Sequence, residues 1–520
     1  MSAAVCRPPV FIDAESGFTL DLTGMGLRPA QLAKLAAPLA RAHAEMVRLE
    51  AGAIKNPDEN RKVTHFSDRL TYADSAQFRE VEAFARAIAA GGEIEQVLVN
   101  GIGGSALGPQ LLQQAAHGPY WNEQAAAARR HFPKIYFVDN TDSAGLADAL
   151  AVLDLGKTLA VTISKSGGTQ ETKNNMLALE AAYRAAGIPF GPHAAAVTMP
   201  GSELDRYARA GHWRQIFPMA DSIGGRTSET NIVGHVPAAL AGIDFAAVVA
   251  GGRHMDELTR NPDPAQTPAY LLAAAWYIAG RGKGERNMVV VPYSDRLGLM
   301  GKYLQQLVME SLGKEKDLDG KVVHQGLTVF GNKGGTDAHA YIQQLNDGRD
   351  DFFALFIEPL RDAAHYPIDA QLSMGDYLHG FKEGLVRALT GKGRRVAEIS
   401  LAAADVFNLG MLIALFERAV AVYAELIHIN AFHQPGVQAY KLASKDVTAV
   451  YLKLQEWLAT PAASGWHGGA AAAAAACGCP EQVRSVAGWL DKLAVNGRAV
   501  AAGRRVSRAV VAGVWEYGVN

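Results

Sequence analysis

Short apolar runs at 96–99, 135–138, 159–163 and 195–198 alternate with alanine-rich stretches long enough for a right-handed crossover. A strand reached through a helix lies parallel to its predecessor, and helices then cover both faces of the sheet. The rhythm pauses and returns at 287–291, 327–330 and 353–357, so the spacing predicts two doubly wound α/β units in series. Their junction is expected between Gly242 and Pro268, where Gly251, Gly252, Pro262, Pro264 and Pro268 cluster. Apolar side chains make up 49% of the 520 residues, ample for a large core. At about 150 residues per domain the length suits three or four domains.

The flanks read differently. Leu32, Leu35, Leu39, His43 and Met46 have helical spacing, with Pro38 expected to kink or divide the helix, and 75–91 reads as a second amphipathic helix. Residues 401–432 read as a long buried helix interrupted only by Gly410, because apolar residues recur all round it. The alanine run at 470–476 reads as a linker, and 481–520 as a docked or solvated tail. A formal charge of −2 argues against a global grip on nucleic acid or anionic lipid. Cys6, Cys477 and Cys479 form no disulfide framework or zinc set and read as reduced thiols. The first 24 residues carry Arg7, Asp13, Glu15 and Asp21, and 458–480 contains Pro461, Gly465, Gly468 and Gly469. Neither suits a leader or a membrane span, so a cytoplasmic protein is expected.

Chemistry concentrates in a few stretches. Val97-Leu-Val-Asn-Gly-Ile-Gly-Gly-Ser105 carries a β-run into a glycine turn and then a helix, offering backbone N–H groups and a positive helix end to an anion. The same turn fits G-x-G-x-x-A at Gly101, Gly103 and Ala106, so a dinucleotide site and a plain tight turn both stay open there. Against the dinucleotide, Asp139 lies too far along. Ser164-Lys-Ser-Gly-Gly-Thr169 again follows a strand, and its hydroxyls suit a phosphate monoester. Gly224-Gly225-Arg226 lets a guanidinium turn inward, although a surface ion pair is the common fate of an arginine. Gln306 and Glu310 share a helix face, with Leu307, Val308 and Met309 supplying an apolar setting that suits a base. His339 is a candidate proton carrier. Gln434-Pro-Gly-Val-Gln-Ala-Tyr-Lys441 turns and then enters a helix.

In this order the stretches resemble the glucose-6-phosphate isomerase family, from about Val97 to Lys441. Gly-Ile-Gly-Gly-Ser, Ser-Lys-Ser-Gly-Gly-Thr-Gln-Glu-Thr, Gly-Gly-Arg, Met-Glu-Ser-x-Gly-Lys and Gln-Pro-Gly-Val-x-x-x-Lys are distinctive jointly, and Gly380-Phe-Lys-Glu-Gly384 resembles bacterial and plastid-type members. The resemblance implies an α/β fold of two doubly wound parallel-sheet sugar-isomerase (SIS) domains with helical N- and C-terminal extensions. The corresponding division is 1–95 helical, 96–245 first SIS domain with the phosphate loops, 246–445 second SIS domain, and 446–520 a tail without assigned role.

It further implies a cytoplasmic homodimer with shared active sites that interconverts glucose 6-phosphate and fructose 6-phosphate without metal or organic cofactor, binding neither nucleic acid nor membrane. By motif position, Ser105, Ser164, Lys165, Ser166 and Thr169 hold the substrate phosphate, and Glu310 moves the proton between C2 and C1. Arg226 faces the enediolate. His339, donated by the partner subunit, and Lys441 serve ring opening, while Gln306 and Gln434 position hydroxyls. Broader activity on mannose 6-phosphate, or a non-catalytic sugar-phosphate sensor, are the competing readings. Gly167-Gly168 and His433 depart from the common family pattern.

Overall fold

A computed structural model of the chain describes residues 4–7, 9–56 and 59–520, and divides it into two compact units, Met1–His433 and Gln434–Asn520. In the first unit, Lys134–Val138, Gln96–Asn100, Thr158–Ile163, Ala194–Thr198 and Gln215–Pro218 lie in that order as a five-stranded, all-parallel sheet. Its inner strands are buried along their whole length, as a sheet covered by helices on both faces demands. Gly104–His117, Ser143–Val152, Gln170–Ala185 and Glu203–Ala210 provide the crossovers. The edge strand Gln215–Pro218 lacks a long apolar run and ends in proline, which an edge tolerates.

The second sheet is seven-stranded and mixed. Arg395–Leu401, Phe352–Pro359, Asn287–Pro292 and Val329–Phe330 are parallel, matching the expected second α/β unit. Beside them Ala4–Arg7, Val10–Asp13 and Phe18–Asp21 form an antiparallel meander whose last strand pairs with Arg395–Leu401. The stretch 1–95 is therefore not a purely helical extension. Phe11, Asp13, Phe18 and Leu20 point inward with the period of two that a sheet imposes. Helix begins only at Pro29–Glu50, which runs through Pro38 undivided; the carbonyl that loses its donor belongs to Lys34, on the exposed face.

The expected junction is also corrected. Phe245–Thr259 is a helix, and Gly251 and Gly252 lie buried in it against a second helix, Val406–Leu426. A Cβ on Gly251 would stand 1.9 Å from the Phe407 carbonyl oxygen, and one on Gly410 2.0 Å from that of Val248. These glycines let two backbones touch; none of them breaks a helix. Leu401 itself ends a strand, and the Asp405 carboxylate caps the helix by accepting from the Asn408 N–H at 2.9 Å. Val406–Leu426 has the length and apolarity to cross a membrane, and its side chains are buried inside the first unit.

The second unit begins before the expected 446 boundary. It packs Leu454, Leu458, Val486, Leu490 and Val519 into its own core. Ala470–Ala476 is a helix with Ala473 and Ala474 buried, so the alanine run is structural and no linker. A three-stranded antiparallel sheet of His467–Gly469, Val514–Val519 and Val506–Val511 completes it. Cys477 and Cys479 are free and buried; the side chain of Cys6 lies outside the described residues.

Gly410→Val is expected to cost about 1–3 kcal/mol or more by overpacking the helix crossing. Gly380→Ala, at a helical position with open space around it, is expected to be neutral or slightly stabilising. Thermal or urea midpoints of the two variants check both expectations.

Candidate active site

The strand Gln96–Asn100 delivers the chain to Gly101, Gly103 and the helix Gly104–His117. Gly103 has φ +59°, a left-handed conformation that suits glycine, and a Cβ there would stand 2.9 Å from the Gln306 amide nitrogen. At Gly104 a Cβ would lie 1.8 Å from the Gly225 carbonyl oxygen. The first glycine turn therefore abuts both the loop that carries Arg226 and the helix that carries Glu310.

Gln305–Glu310 forms a π-helical turn after Met300–Leu304. Such turns are rare and frequent at functional sites. Its last residue presents a carboxylate between two donors. Gln306 Nε2 donates to Glu310 Oε2 at 3.2 Å, and Arg226 Nη1 stands 3.3 Å from Glu310 Oε1. Arg226 is buried and fixed from three sides, donating also from Nε to Ser311 Oγ at 2.7 Å and from Nη2 to the Ala431 carbonyl at 2.5 Å. Burial lowers its pKa and the Glu310 charge acts in the opposite sense. The Glu310 side chain keeps 23% of its surface open, so a ligand can reach it.

Thr158–Ile163 leads into the hydroxyl loop. Ser164 is buried, and its Oγ accepts from the Gly167 N–H at 3.1 Å; Ser166 Oγ accepts from the Gly168 N–H at 3.2 Å. Thr169 occupies the cap position of Gln170–Ala185 without using its hydroxyl as a cap, and Ser105 stands in the first turn of its own helix, partly open. Gly167 has φ +76° and a Cβ would lie 2.2 Å from the Leu204 backbone nitrogen, so this loop requires the glycine that departs from the family pattern. Lys165 Nζ donates to the carbonyls of Asp221 and Ile223 and pairs with the Asp221 carboxylate at 3.1 Å. Lys165 thereby ties the hydroxyl loop to the segment that ends in Arg226.

Two cations of this neighbourhood carried no sign in the sequence. Arg61 is buried, pairs with Glu59 and donates to the Phe432 carbonyl at 2.9 Å. Its charge lowers the pKa of both Lys165 and Arg226, after burial in each case. It precedes the first motif in a stretch without periodicity. Lys314 closes the Met-Glu-Ser-x-Gly-Lys motif and is likewise buried.

The remaining motif residues stand elsewhere in the chain. His339 ends the short turn Thr336–His339 and is exposed, with no side-chain hydrogen bond or ion pair among the described residues. Gln434 precedes the helix Pro435–Ala459, on which Lys441 is exposed; both belong to the second unit. Glu358, His379 and Glu383 bring ligand atoms within 4.8 Å of one another, but the Lys382 ammonium already sits among them, 3.2 Å from Glu358 and 2.6 Å from Glu383.

The sequence profile of the phosphoglucose isomerase family matches residues 53–456. The chain belongs to that family. It is 45% identical over 504 residues to the glucose-6-phosphate isomerase of Synechococcus sp. (strain JA-2-3B'a(2-13)), covering 92% of each chain. Against that of Geobacter sulfurreducens the identity is 47% over 508 residues, covering 94% of each. Among solved structures, a glucose-6-phosphate isomerase from Chlamydia trachomatis superposes with a TM-score of 0.76 at 25% identity, covering 84% of this chain and 89% of that one. As a phosphoglucose isomerase the chain has no need of the dinucleotide reading of Gly101–Ala106, and its glycine turn is a wall of the site around Glu310.

Burial, then the nearby Arg226 guanidinium, pushes the Lys314 ammonium down from its ordinary 10.5 to about 7, with Glu310 acting oppositely. Between those values the unfolded chain keeps the proton and the folded chain has lost it, so this group makes stability rise with pH across the window. The melting temperature of the natural protein is expected to gain on that of Lys314→Met between about pH 7 and pH 10. A difference that stays constant across that range contradicts this.

Proposed function

We propose that the chain interconverts glucose 6-phosphate and fructose 6-phosphate with Glu310 as the proton-transferring base. The observation that carries this reading is the Glu310 carboxylate held between the Arg226 guanidinium and the Gln306 amide. In the open-chain aldose, Glu310 removes the proton on C2, and the electron pair left behind forms the C1–C2 double bond while the C1 carbonyl oxygen takes the negative charge. Arg226 stands beside Glu310 and stabilises that enediolate oxygen. A proton then passes from the C2 hydroxyl to the C1 oxygen, and protonated Glu310 returns its proton to C1, giving the ketose. Gln306 orients the carboxylate and a substrate hydroxyl.

Ser105, Ser164, Lys165, Ser166 and Thr169 are assigned to the phosphate, whose grip far from C1 and C2 supplies the energy that orients them. The strand-to-helix loops and their partly open hydroxyls support this. Ring opening is assigned to His339 and Lys441, and hydroxyl positioning to Gln434, on the family motifs. The exposure of His339 supports a homodimer in which each subunit lends this histidine to its partner. In this reading the protein works in the cytoplasm, in glycolysis and gluconeogenesis.

Glu310→Gln is expected to lower turnover by about 10³-fold or more while phosphosugar binding, read by calorimetry, stays within a few-fold. Retained turnover removes Glu310 from the role of base. Mixing inactive Glu310→Gln and His339→Ala dimers under exchange conditions is expected to restore activity, because one of the two shared sites in the mixed dimer is intact. Mixtures that stay inactive after proven exchange argue against a shared site.

A further inference from the structure

The last residue of the Met-Glu-Ser-x-Gly-Lys motif has a role that the chemistry above leaves unused. Lys314 is 4% exposed, and its Nζ donates to the carbonyls of Glu310 at 2.9 Å and Ser311 at 2.7 Å. Carbonyls at the end of a helix lack donors from the helix itself, and water or a following glycine commonly serves them. Here a buried ammonium does so beside a buried guanidinium, with a single carboxylate between them. That is a costly cap for a helix end. Gly313, whose N–H reaches the Met309 carbonyl at 2.9 Å, bends the chain tightly enough to bring Lys314 back underneath.

The geometry of the capped turn explains the expense. A π turn is wider than an α turn and has poorer packing, so its resting tendency is to rewind. Rewinding by one residue rotates whatever follows by about 100° around the helix axis. At Glu310 that rotation would carry the carboxylate away from both Arg226 and Gln306. Arg226 already holds Ser311 through its hydroxyl. The Lys314 bonds hold the same residue, and Glu310 itself, through the backbone.

We infer that Lys314 is a positioning residue for the isomerisation, bonding the carbonyls of Glu310 and Ser311 to keep the π turn open and so fixing the carboxylate against Arg226 and Gln306. This rests on the reading of Glu310 as the base.

The test compares Lys314→Met and Lys314→Gln with the natural protein, each checked for folding by circular dichroism, using glucose 6-phosphate and its C2-deuterated form. Lys314→Met is expected to lower kcat about 10- to 100-fold with KM changed less than about threefold, since small misplacements of a catalytic group have effects of that size. Its deuterium isotope effect is expected to rise, because proton abstraction becomes slower relative to the other steps. Lys314→Gln, which keeps a donor within reach of one carbonyl, is expected to recover part of kcat. A folded Lys314→Met with kcat within about twofold of natural, a loss confined to KM, or an unchanged isotope effect overturns the inference. If Lys314→Met does not fold, Lys314→Gln is judged by the same criteria. Turnover retained in Glu310→Gln overturns the base reading beneath it, whereas an inactive Glu310→Gln beside a normal Lys314→Met overturns the positioning role alone.

Discussion

Two stretches of backbone meet at Gly104 and Gly225 with no room for a methyl group between them. Everything at the site is measured from that contact. It sets the first turn of Gly104–His117 against the loop of Arg226, and Gly103 against the amide of Gln306. The Glu310 carboxylate then stands where two fixed donors converge, and Lys165 links the hydroxyl loop to the same segment. A side chain at either glycine would part the walls before it touched any reacting group.

Beneath these walls lies an unusual concentration of buried charge. Arg69 donates to both oxygens of Asp256, at 2.8 and 3.0 Å, and to Glu417, while Arg418 pairs with Glu50 at 2.7 Å. Burial raises the Glu417 pKa to about 7 against the pull of Arg69. Glu229, pressed against Gly108, is pushed up by burial and by the charge on Glu417, so it holds its proton. Such networks contribute little net stability, yet each member is costly to remove because its partner would be left unpaired in the interior. The effect is a rigid floor, with Asp256, Glu417 and Arg418 all on the two core helices that cross at Gly251 and Gly410.

The sheets were legible wherever the signal was local. Each parallel strand between 96 and 198 declares itself by an apolar run, and each site loop by the glycines and hydroxyls that follow one. Where meaning depended on a distant partner, the same letters misled. Gly251 and Gly252 looked like a hinge because glycine marks loops and close helix crossings alike, and only Phe407 and Val248 across the contact distinguish them. Val10–Asp13 and Phe18–Asp21 were missed as strands because the strand they extend, Arg395–Leu401, lies far down the chain. Arg61 belongs to no motif and reaches the neighbourhood of Lys165 and Arg226 only through tertiary folding. Of the site, Glu310, Arg226 and Gln306 come together in the first unit. Lys441 and Gln434 rest on motif alone.

The pairing of Phe18–Asp21 with Arg395–Leu401 bears on how the molecule is made. The strands of the first sheet, between residues 96 and 218, are all available once that stretch has left the ribosome. The amino-terminal ribbon emerges earlier still, yet its place in the second sheet does not exist until several hundred more residues have been added. During that interval it offers an unpaired edge to any neighbouring nascent chain. The first segment to be synthesised is among the last to be fastened.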